Sequence, residues 1–121
     1  MKCAIYARYS SDLQYDRSID DQIRNCQRCA ESKGWAVLDG NIYTDRAVSG
    51  TTVMGRTGLA ELLKASERRP CEFDYVLIDD TSRLSRDKVE QAEIIRDLHE
   101  NGVHVYFVSD NIDTGSALEG Q

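Results

Sequence analysis

Arginines and a serine follow two apolar segments of this sequence, and together they could bind and attack a phosphate group. Arg8 and Ser10 lie two residues apart, so on an extended strand their side chains share one face. Arg83 and Arg86 lie three residues apart at the entrance of a predicted helix, where their side chains can converge. Guanidinium groups match phosphate oxygens and stabilise the charge that develops in phosphoryl transfer. These residues, with Arg56 as a further candidate, therefore indicate a phosphodiester site.

Each of these arginines taken alone could instead pair with a surface carboxylate, because the sequence offers many acids. The clustering of several arginines and a hydroxyl at one expected edge of the fold favours the phosphate site.

The spacing of apolar and turn residues predicts strands that alternate with helices, in the order β-α-β-loop-α-β-α-β. Such alternation implies an α/β fold with a mostly parallel central sheet flanked by helices on both faces. Ligands of such sheets bind at the carboxyl ends of the strands, which is where the arginines and Ser10 fall. The predicted strands are Lys2–Arg8, Trp35–Tyr43 (interrupted at Asp39–Asn41), Phe73–Asp79 and Val103–Val108.

The predicted helices are recognised by their caps and ends. The segment Ser18–Asp21 resembles a capping box with Asp in place of Glu, and Gly34 ends that helix. The second helix is expected to have its cap at Thr57 and to end before Pro70. The third is expected to have its cap at Ser85 and to end at about Asn101. Thr44–Gly55 is expected to be a loop, and Ser109–Gln121 to be irregular.

Length, composition and charge limit the class of protein. The chain has 121 residues, of which 40% are hydrophobic and 30% charged, which predicts one folded domain rather than a disordered chain. No run approaches the about 20 apolar residues of a membrane span, and Arg8 interrupts any apolar region of a signal peptide. The net charge is −6, and residues 89–121 carry seven acids and one base. The chain by itself is therefore not expected to bind DNA tightly.

The cysteines are expected to be ordinary thiols. Cys26 and Cys29 have the spacing of a zinc or redox pair, but they lie inside a predicted helix and lack two further ligands nearby. They are expected to be buried or half-buried, like Cys3 and Cys71, in a protein of the reducing cytoplasm.

A serine hydrolase is not indicated. His99 lies late in a predicted helix, and His104 lies at the start of the last predicted strand, so neither can easily serve as the base of Ser10. A Gly-x-Ser-x-Gly turn and a phosphate-binding glycine loop are both missing from the sequence.

Paired aspartates leave two other classes of function open. Asp79 and Asp80 could bind Mg²⁺ with Asp45 in a nuclease or topoisomerase-like domain, although the neighbouring arginines would neutralise the carboxylates. Alternatively, Asp79 or Asp80 could accept a phosphoryl group in a receiver-type signalling module. A receiver would need a lysine at the end of a later strand, and the sequence has none after Lys88.

As a set, the segments resemble the catalytic domain of serine site-specific recombinases, the resolvase and invertase family. Their order and spacing match over nearly all of the chain. The long loop after Asp45 looks more like the large serine recombinases, the phage integrases and transposon recombinases, than like the compact resolvases. The segments that carry the resemblance are Tyr6–Ser10, Ser18–Gln22, Tyr43–Asp45, Ser49–Gly50, Arg56–Leu59 and Ser82–Asp87.

The resemblance implies a catalytic mechanism. Ser10 would attack the scissile phosphodiester, form a 5′-phosphoseryl link to DNA and release a 3′-hydroxyl. Arg8, Arg83 and Arg86 would hold the phosphate and stabilise the transition state, with Arg56 as a further phosphate-side arginine. Three more residues would organise the site: Gln22, Asp45 and Ser49. The resemblance implies no metal ion and no cofactor, because the covalent link conserves the bond energy for rejoining.

The resemblance also implies a larger assembly. Residues 1–121 would be the catalytic domain, and the family's long helix, DNA-reading domain and zinc-bearing domain would follow residue 121. The protein would bind DNA through those parts and act as a dimer and a synaptic tetramer, with no membrane partner. One position departs from the family, which often has Asp before the first arginine of this motif. Here Ser82 precedes Arg83, and Asp79 or Asp80 is a candidate for that role.

Overall fold

Strands and helices alternate along the chain up to the third strand, and two helices precede the fourth. The computed structural model describes residues 1–8, 18–45 and 57–115. The strands are β1 (Lys2–Arg8), β2 (Ala36–Asp45), β3 (Tyr75–Ile78), β4 (His104–Phe107) and β5 (Ile112–Asp113). The helices are α1 (Ile19–Lys33), α2 (Thr57–Ser66), α3 (Thr81–Leu84) and α4 (Lys88–Glu100).

The five strands form one sheet in the order β2-β1-β3-β4-β5. Strands β1 to β4 pair in parallel, and β5 runs antiparallel to β4. The mostly parallel α/β sheet predicted from the sequence is confirmed. Because β1 and β3 are neighbours and parallel, Arg8 at the end of β1 lies at the same edge as the segment that follows Ile78.

Helices cover both faces of this sheet, and alternate residues of β1 contribute to two separate cores. Tyr6 lies in a cluster that includes Leu62 of α2 and Leu98 of α4. Ile5 lies in a cluster on the opposite face, with Cys26 of α1. Burial on both faces explains why the inner strands are almost continuously apolar.

The ends of α1 match the sequence prediction. The Ser18 side chain accepts a hydrogen bond from the Asp21 amide, which caps the first turn. Gly34 ends the helix in the left-handed conformation at φ 73°, and its amide reaches the Ala30 and Glu31 carbonyls. Glycine adopts this conformation without the steric cost that a side chain would impose.

The predicted cap of α4 was wrong. The helix begins at Lys88, and the Asp87 carboxylate accepts the Val89 and Glu90 amides. Ser85 instead ends α3, and its hydroxyl accepts the Asp87 amide. The sequence placed the cap too early because the short turn α3 was not predicted.

Two short elements left no periodic signal in the sequence. Helix α3 is a single turn, and β5 has two residues, within the segment Ser109–Gln121 that was expected to be irregular. Elements of two to four residues are shorter than the windows in which apolar spacing can be recognised.

The expected interruption of the second strand is a change of register. Cys3 of β1 pairs with Val37, whereas Ile5 pairs with Ile42, so β2 passes extra residues between these pairs. The strand also continues to Asp45, which the sequence analysis placed in the loop. The rest of that predicted loop, residues 46–55, lies outside the described residues.

None of the four cysteines forms a disulfide bond, and their predicted burial is confirmed. Cys3 and Cys26 are buried, while Cys29 and Cys71 are half-buried. Burial raises the pKa of the Cys3 thiol to about 11 and also raises the pKa of Cys29, so both stay protonated at neutral pH. Among residues 1–8, 18–45 and 57–115, no group of three or more His, Cys, Asp or Glu side chains is placed to hold a metal ion.

No helix in the described part of the chain is both long and apolar enough to cross a membrane.

Candidate active site

Gln22 holds the end of β1 in place. Its side-chain oxygen accepts the Arg8 amide at 3.1 Å, and its side-chain nitrogen donates to the Arg8 carbonyl at 2.9 Å. One buried amide group thus satisfies both main-chain groups of the last residue of the strand, as a neighbouring strand would. Gln22 thus fixes the last described residue of β1, two positions before Ser10 in the sequence.

The Arg8 guanidinium binds the main chain of α3. Its Nε donates to the Arg83 carbonyl at 3.0 Å, and its Nη2 donates to the Ser82 carbonyl at 2.5 Å. Arg8 is 1% exposed, so its charge is stabilised by these carbonyls rather than by bulk water. The contact fixes the end of β1 against the turn that carries the second predicted arginine.

Arg83 lies within this cluster of positive charge. It is 6% exposed, and its Nε lies 3.6 Å from the Asp80 carboxylate. Burial lowers the pKa of the Arg83 guanidinium, and the charges of Arg8 and Arg86 lower it further. Arg86 itself is exposed, just beyond α3. The three arginines predicted from the sequence therefore lie at one edge of the sheet, close enough for their charges to interact.

Asp45 connects the end of β2 to the start of α2. Its two carboxylate oxygens accept the Gly58 amide at 2.7 Å and the Leu59 amide at 3.0 Å, and the Tyr6 hydroxyl donates to it at 2.7 Å. In the sheet Asp45 is the register partner of Arg8. The carboxylate is thus bound by three neutral donors and acts on the local fold.

Gly58 is required by the close approach of α2 to β2. A Cβ atom at this position would overlap the Thr44 carbonyl oxygen and lie 2.8 Å from its carbon and 3.1 Å from the Asp45 carboxylate. Gly58, the second residue of α2, is therefore packed directly against the carboxyl edge of the sheet.

The two aspartates that follow β3 have different roles. Asp79 is buried and accepts hydrogen bonds from the Asn25 amide at 2.7 Å and the Ser109 hydroxyl at 3.0 Å. Asp80 caps α3 by accepting the Ser82 amide at 2.9 Å.

Three predicted site residues cannot be placed. Ser10 lies in residues 9–17, and Ser49 and Arg56 lie in residues 46–56, outside the part of the chain that the structure describes. The structure thus brings Arg8, Arg83 and Arg86 together and sets two other predicted residues around them, Gln22 and Asp45.

The histidines lie far from this edge. His104 begins β4, and its Nδ1 lies 3.1 Å from Nε2 of His99. Because the strands are parallel, the start of β4 is at the edge opposite Arg8. That neither histidine serves Ser10 as a base stays a prediction, because Ser10 lies outside the described residues.

Comparison with known proteins identifies the family. Residues 3–121 match the family described as "Resolvase, N terminal domain". The chain belongs to the resolvase family. The Tn3 resolvase of Escherichia coli is 34% identical over 109 residues, which cover 90% of this chain and 51% of that protein. A resolvase/recombinase of Pseudomonas putida is 36% identical over 113 residues, covering 93% and 54%.

Solved structures agree with this assignment. The N-terminal catalytic domain of TP901-1 integrase superposes on the resolvase-family chain with a TM-score of 0.84 and 31% identity, covering 99% of this chain and 86% of that one. A resolvase-family recombinase from Streptococcus pneumoniae, at 21% identity and a TM-score of 0.80, shares the fold; the match covers 99% of this chain and 84% of that one.

The resolvase-family chain is a catalytic domain of the serine recombinase type, as the sequence predicted. The nuclease and receiver interpretations are not supported. The chain spans about half the length of the curated relatives it matches. The likeness to an integrase domain agrees with the resemblance to large serine recombinases, and assignment to that subgroup stays a prediction.

Sequence reasoning about this resolvase-family domain missed one residue that fixes the arginine turn. Gln91 of α4 donates from its side-chain nitrogen to the Thr81 carbonyl at 3.1 Å and the Ser85 carbonyl at 3.0 Å. It therefore ties α4 to both ends of α3. A glutamine on a helix face carries no local signal of such a contact, which depends on how the two helices pack.

Proposed function

We propose that this domain cleaves and rejoins DNA by transesterification, with Ser10 as the nucleophile. The Ser10 oxygen forms a bond to the scissile phosphorus, the bond from phosphorus to the 3′ oxygen breaks, and the leaving strand keeps a 3′-hydroxyl. Reversal of this step by the 3′-hydroxyl of another strand rejoins the DNA and releases the serine.

The arginines supply the positive charge of the reaction. Arg8 and Arg83 are held by buried contacts and Arg86 is exposed beside them, so a phosphate entering this edge would meet Arg86 directly and lie in the electrostatic field of the two buried guanidinium groups. Donors that are already oriented stabilise developing negative charge without reorganising in the transition state. Arg56, which precedes α2 in the sequence, adds a further charge in this proposal, and the remaining predicted residues organise the site: Gln22, Asp45 and Ser49.

One observation supports this function above the others: Arg8 and Arg83 are both buried, Arg8 Nε donates to the Arg83 carbonyl at 3.0 Å, and the exposed Arg86 follows three residues later. Bringing like charges together in a poorly solvated place is unfavourable, and an anion bound between them would offset that cost. A phosphodiester is an anion of matching charge and geometry.

The mechanism as proposed uses no metal ion. The arginines occupy the role that Mg²⁺ has in many phosphoryl-transfer enzymes. Asp45, a ligand in the nuclease interpretation, already accepts the Gly58 and Leu59 amides and the Tyr6 hydroxyl.

The domain works, in this proposal, as part of a longer cytoplasmic recombinase. Parts that follow residue 121 supply the long helix and the DNA-binding domains, and the protein forms a dimer and then a synaptic tetramer on DNA. The net charge of −6 supports this division of labour, since residues 1–121 alone offer little net attraction to phosphates.

The nucleophile is tested by comparing Ser10→Ala with Ser11→Ala in the full-length recombinase. Removing the attacking oxygen should abolish the covalent protein–DNA product while site binding persists, whereas Ser11→Ala should retain the product. The product is measured on denaturing gels, and binding by gel shift, both with and without a chelator. Covalent product from Ser10→Ala, or loss of cleavage on chelation with DNA binding intact, would contradict the mechanism.

A further inference from the structure

Helix α3 controls the placement of two arginines at once. Arg83 belongs to the turn, and the Arg8 guanidinium is bound to the Ser82 and Arg83 carbonyls at its carboxyl end. A shift or rotation of this single turn would therefore displace both guanidinium groups together.

One carboxylate, that of Asp80, acts on the start of this turn in two ways. Oδ1 accepts the Ser82 amide at 2.9 Å and the Ser82 hydroxyl at 2.5 Å. Oδ2 lies 3.6 Å from Nε of Arg83. The side chains of Asp80 and Arg83 are 30% and 8% exposed, so their attraction is only partly screened by water.

The negative charge of Asp80 lies where it can offset the repulsion among the three arginines. The positive charges of Arg8 and Arg86 lower the pKa of Arg83, and the negative Asp80 carboxylate lies beside Arg83. The contact is made through Nε, which carries one of the five N–H groups of a guanidinium; the terminal nitrogens carry the other four. A carboxylate at the Nε side can therefore orient the guanidinium while the terminal nitrogens bind another anion.

We propose that Asp80 is a positioning residue of the active site. It fixes α3 and the Nε edge of Arg83, so that Arg83 and Arg8 meet the scissile phosphate in a defined orientation. The Asp80 carboxylate also accepts the Ser82 hydroxyl. A carboxylate is therefore bound at the position before Arg83, although the residue at that position is a serine. This role depends on the proposed cleavage function, since it concerns the same arginines.

The substitution Asp80→Asn removes the charge of Asp80 and keeps an oxygen that can cap α3. Made in the full-length recombinase, it tests the proposed role of the charge. Asparagine caps helices about as well as aspartate, so the variant should fold and bind its DNA site normally while it loses the charge beside Arg83. We expect the single-turnover rate of phosphoseryl formation to fall by roughly 10- to 100-fold.

A matched control is available at the cap of the next helix. Asp87 accepts the Val89 amide at 2.8 Å and the Glu90 amide at 3.4 Å. Asp87→Asn makes the same change of charge at the same kind of position, and its cleavage rate should stay within about twofold of the wild type. Asp80→Ser, which also retains a capping oxygen, replaces Asp80→Asn if that variant is unstable.

A direct readout of Arg83 distinguishes positioning from a general structural effect. In Asp80→Asn the Nε–H resonance of Arg83 should shift and exchange faster with water, and in Asp87→Asn it should not. A fall in rate accompanied by this change supports the role. An unchanged rate, an unchanged Arg83 resonance, or an equal fall in Asp87→Asn would each overturn it. If the proposed cleavage function itself were wrong, Ser10→Ala would still form the covalent protein–DNA product. That result is distinct from every outcome of the Asp80 variants.

Discussion

Arg83 brings a positive charge into a nearly buried position beside two other arginines. Burial and the charges of Arg8 and Arg86 all lower its pKa, yet an arginine stays protonated through the physiological range. A permanent charge in such a place is useful if an anion binds there, and its planar fork can donate two parallel hydrogen bonds to a phosphate. A lysine has neither property.

Arg83→Lys is therefore expected to lower the rate of DNA cleavage by about 100-fold at neutral pH. Burial and like charges lower the pKa of a lysine at this position, so a fraction of it would be neutral. Since protonation restores the charge, the rate of the variant relative to the wild type should rise as the pH falls. Single-turnover cleavage measured from about pH 9 to about pH 7 checks this sign, and a ratio independent of pH would contradict it.

At the scale of elements, the junction of β2 and α2 determines how the long segment between them is attached. The Asp45 carboxylate, at the end of β2, accepts hydrogen bonds from main-chain amides in the first turn of α2. The Tyr6 hydroxyl of the central strand β1 donates to the same carboxylate. The absence of a side chain at Gly58 lets α2 approach the Thr44 carbonyl. Asp45 and the start of α2, which flank the segment that carries Ser49 and Arg56, are thus held together at the carboxyl edge of the sheet.

Gly58→Ala should weaken this junction. The added Cβ would overlap the Thr44 main chain, which belongs to a strand and cannot move freely, so we expect the free energy of unfolding to fall by about 1–3 kcal/mol. Gly40→Ala is the control, because its Cβ would meet no atom within 4 Å. That variant should change stability by no more than about 0.5 kcal/mol in urea unfolding. Equal effects of the two substitutions would show that the close approach is unimportant.

The elements and contacts that were predictable from the sequence are the ones with local signals. Ser18 and Gly34 mark the ends of α1 by their own chemistry, and the convergence of Arg8 with Arg83 follows from two parallel strands ending at one edge. The hydrogen bond from the Gly58 amide to Asp45 was not predictable, because it joins residues 13 positions apart through a main-chain amide. The contacts of Gln91 with α3 likewise depend on tertiary packing.

At the scale of the whole molecule, a histidine pair ties several elements together at the edge opposite the arginines. His99 of α4 and His104 of β4 are in contact, and His99 also hydrogen-bonds the Thr114 main chain. The rings of His104 and Tyr75 of β3 pack at 5.4 Å. Burial lowers the pKa of His99 below its ordinary value, and the charge of His104 lowers it further, against a smaller opposing effect of Thr114.

Acid should therefore destabilise the domain through His99. The unfolded chain binds a proton at the ordinary pKa of about 6.5, whereas the folded chain resists protonation, so stability is lost as the pH falls below about 6.5. His99→Gln should lose less stability than the wild type between about pH 7.5 and about pH 5.5 in urea unfolding. If both proteins lost the same amount, His99 would not be the group responsible.

The antiparallel direction of β5 has a consequence for the path of the chain. Strand β4 runs towards the edge that holds the arginines, and β5 runs back along it, with Asp113 opposite Tyr106. Gly115 consequently lies against His104 and Tyr75, at the far side of the sheet. The last described residue therefore lies at the edge of the sheet opposite Arg8, Arg83 and Arg86, and the whole length of β4 separates the two.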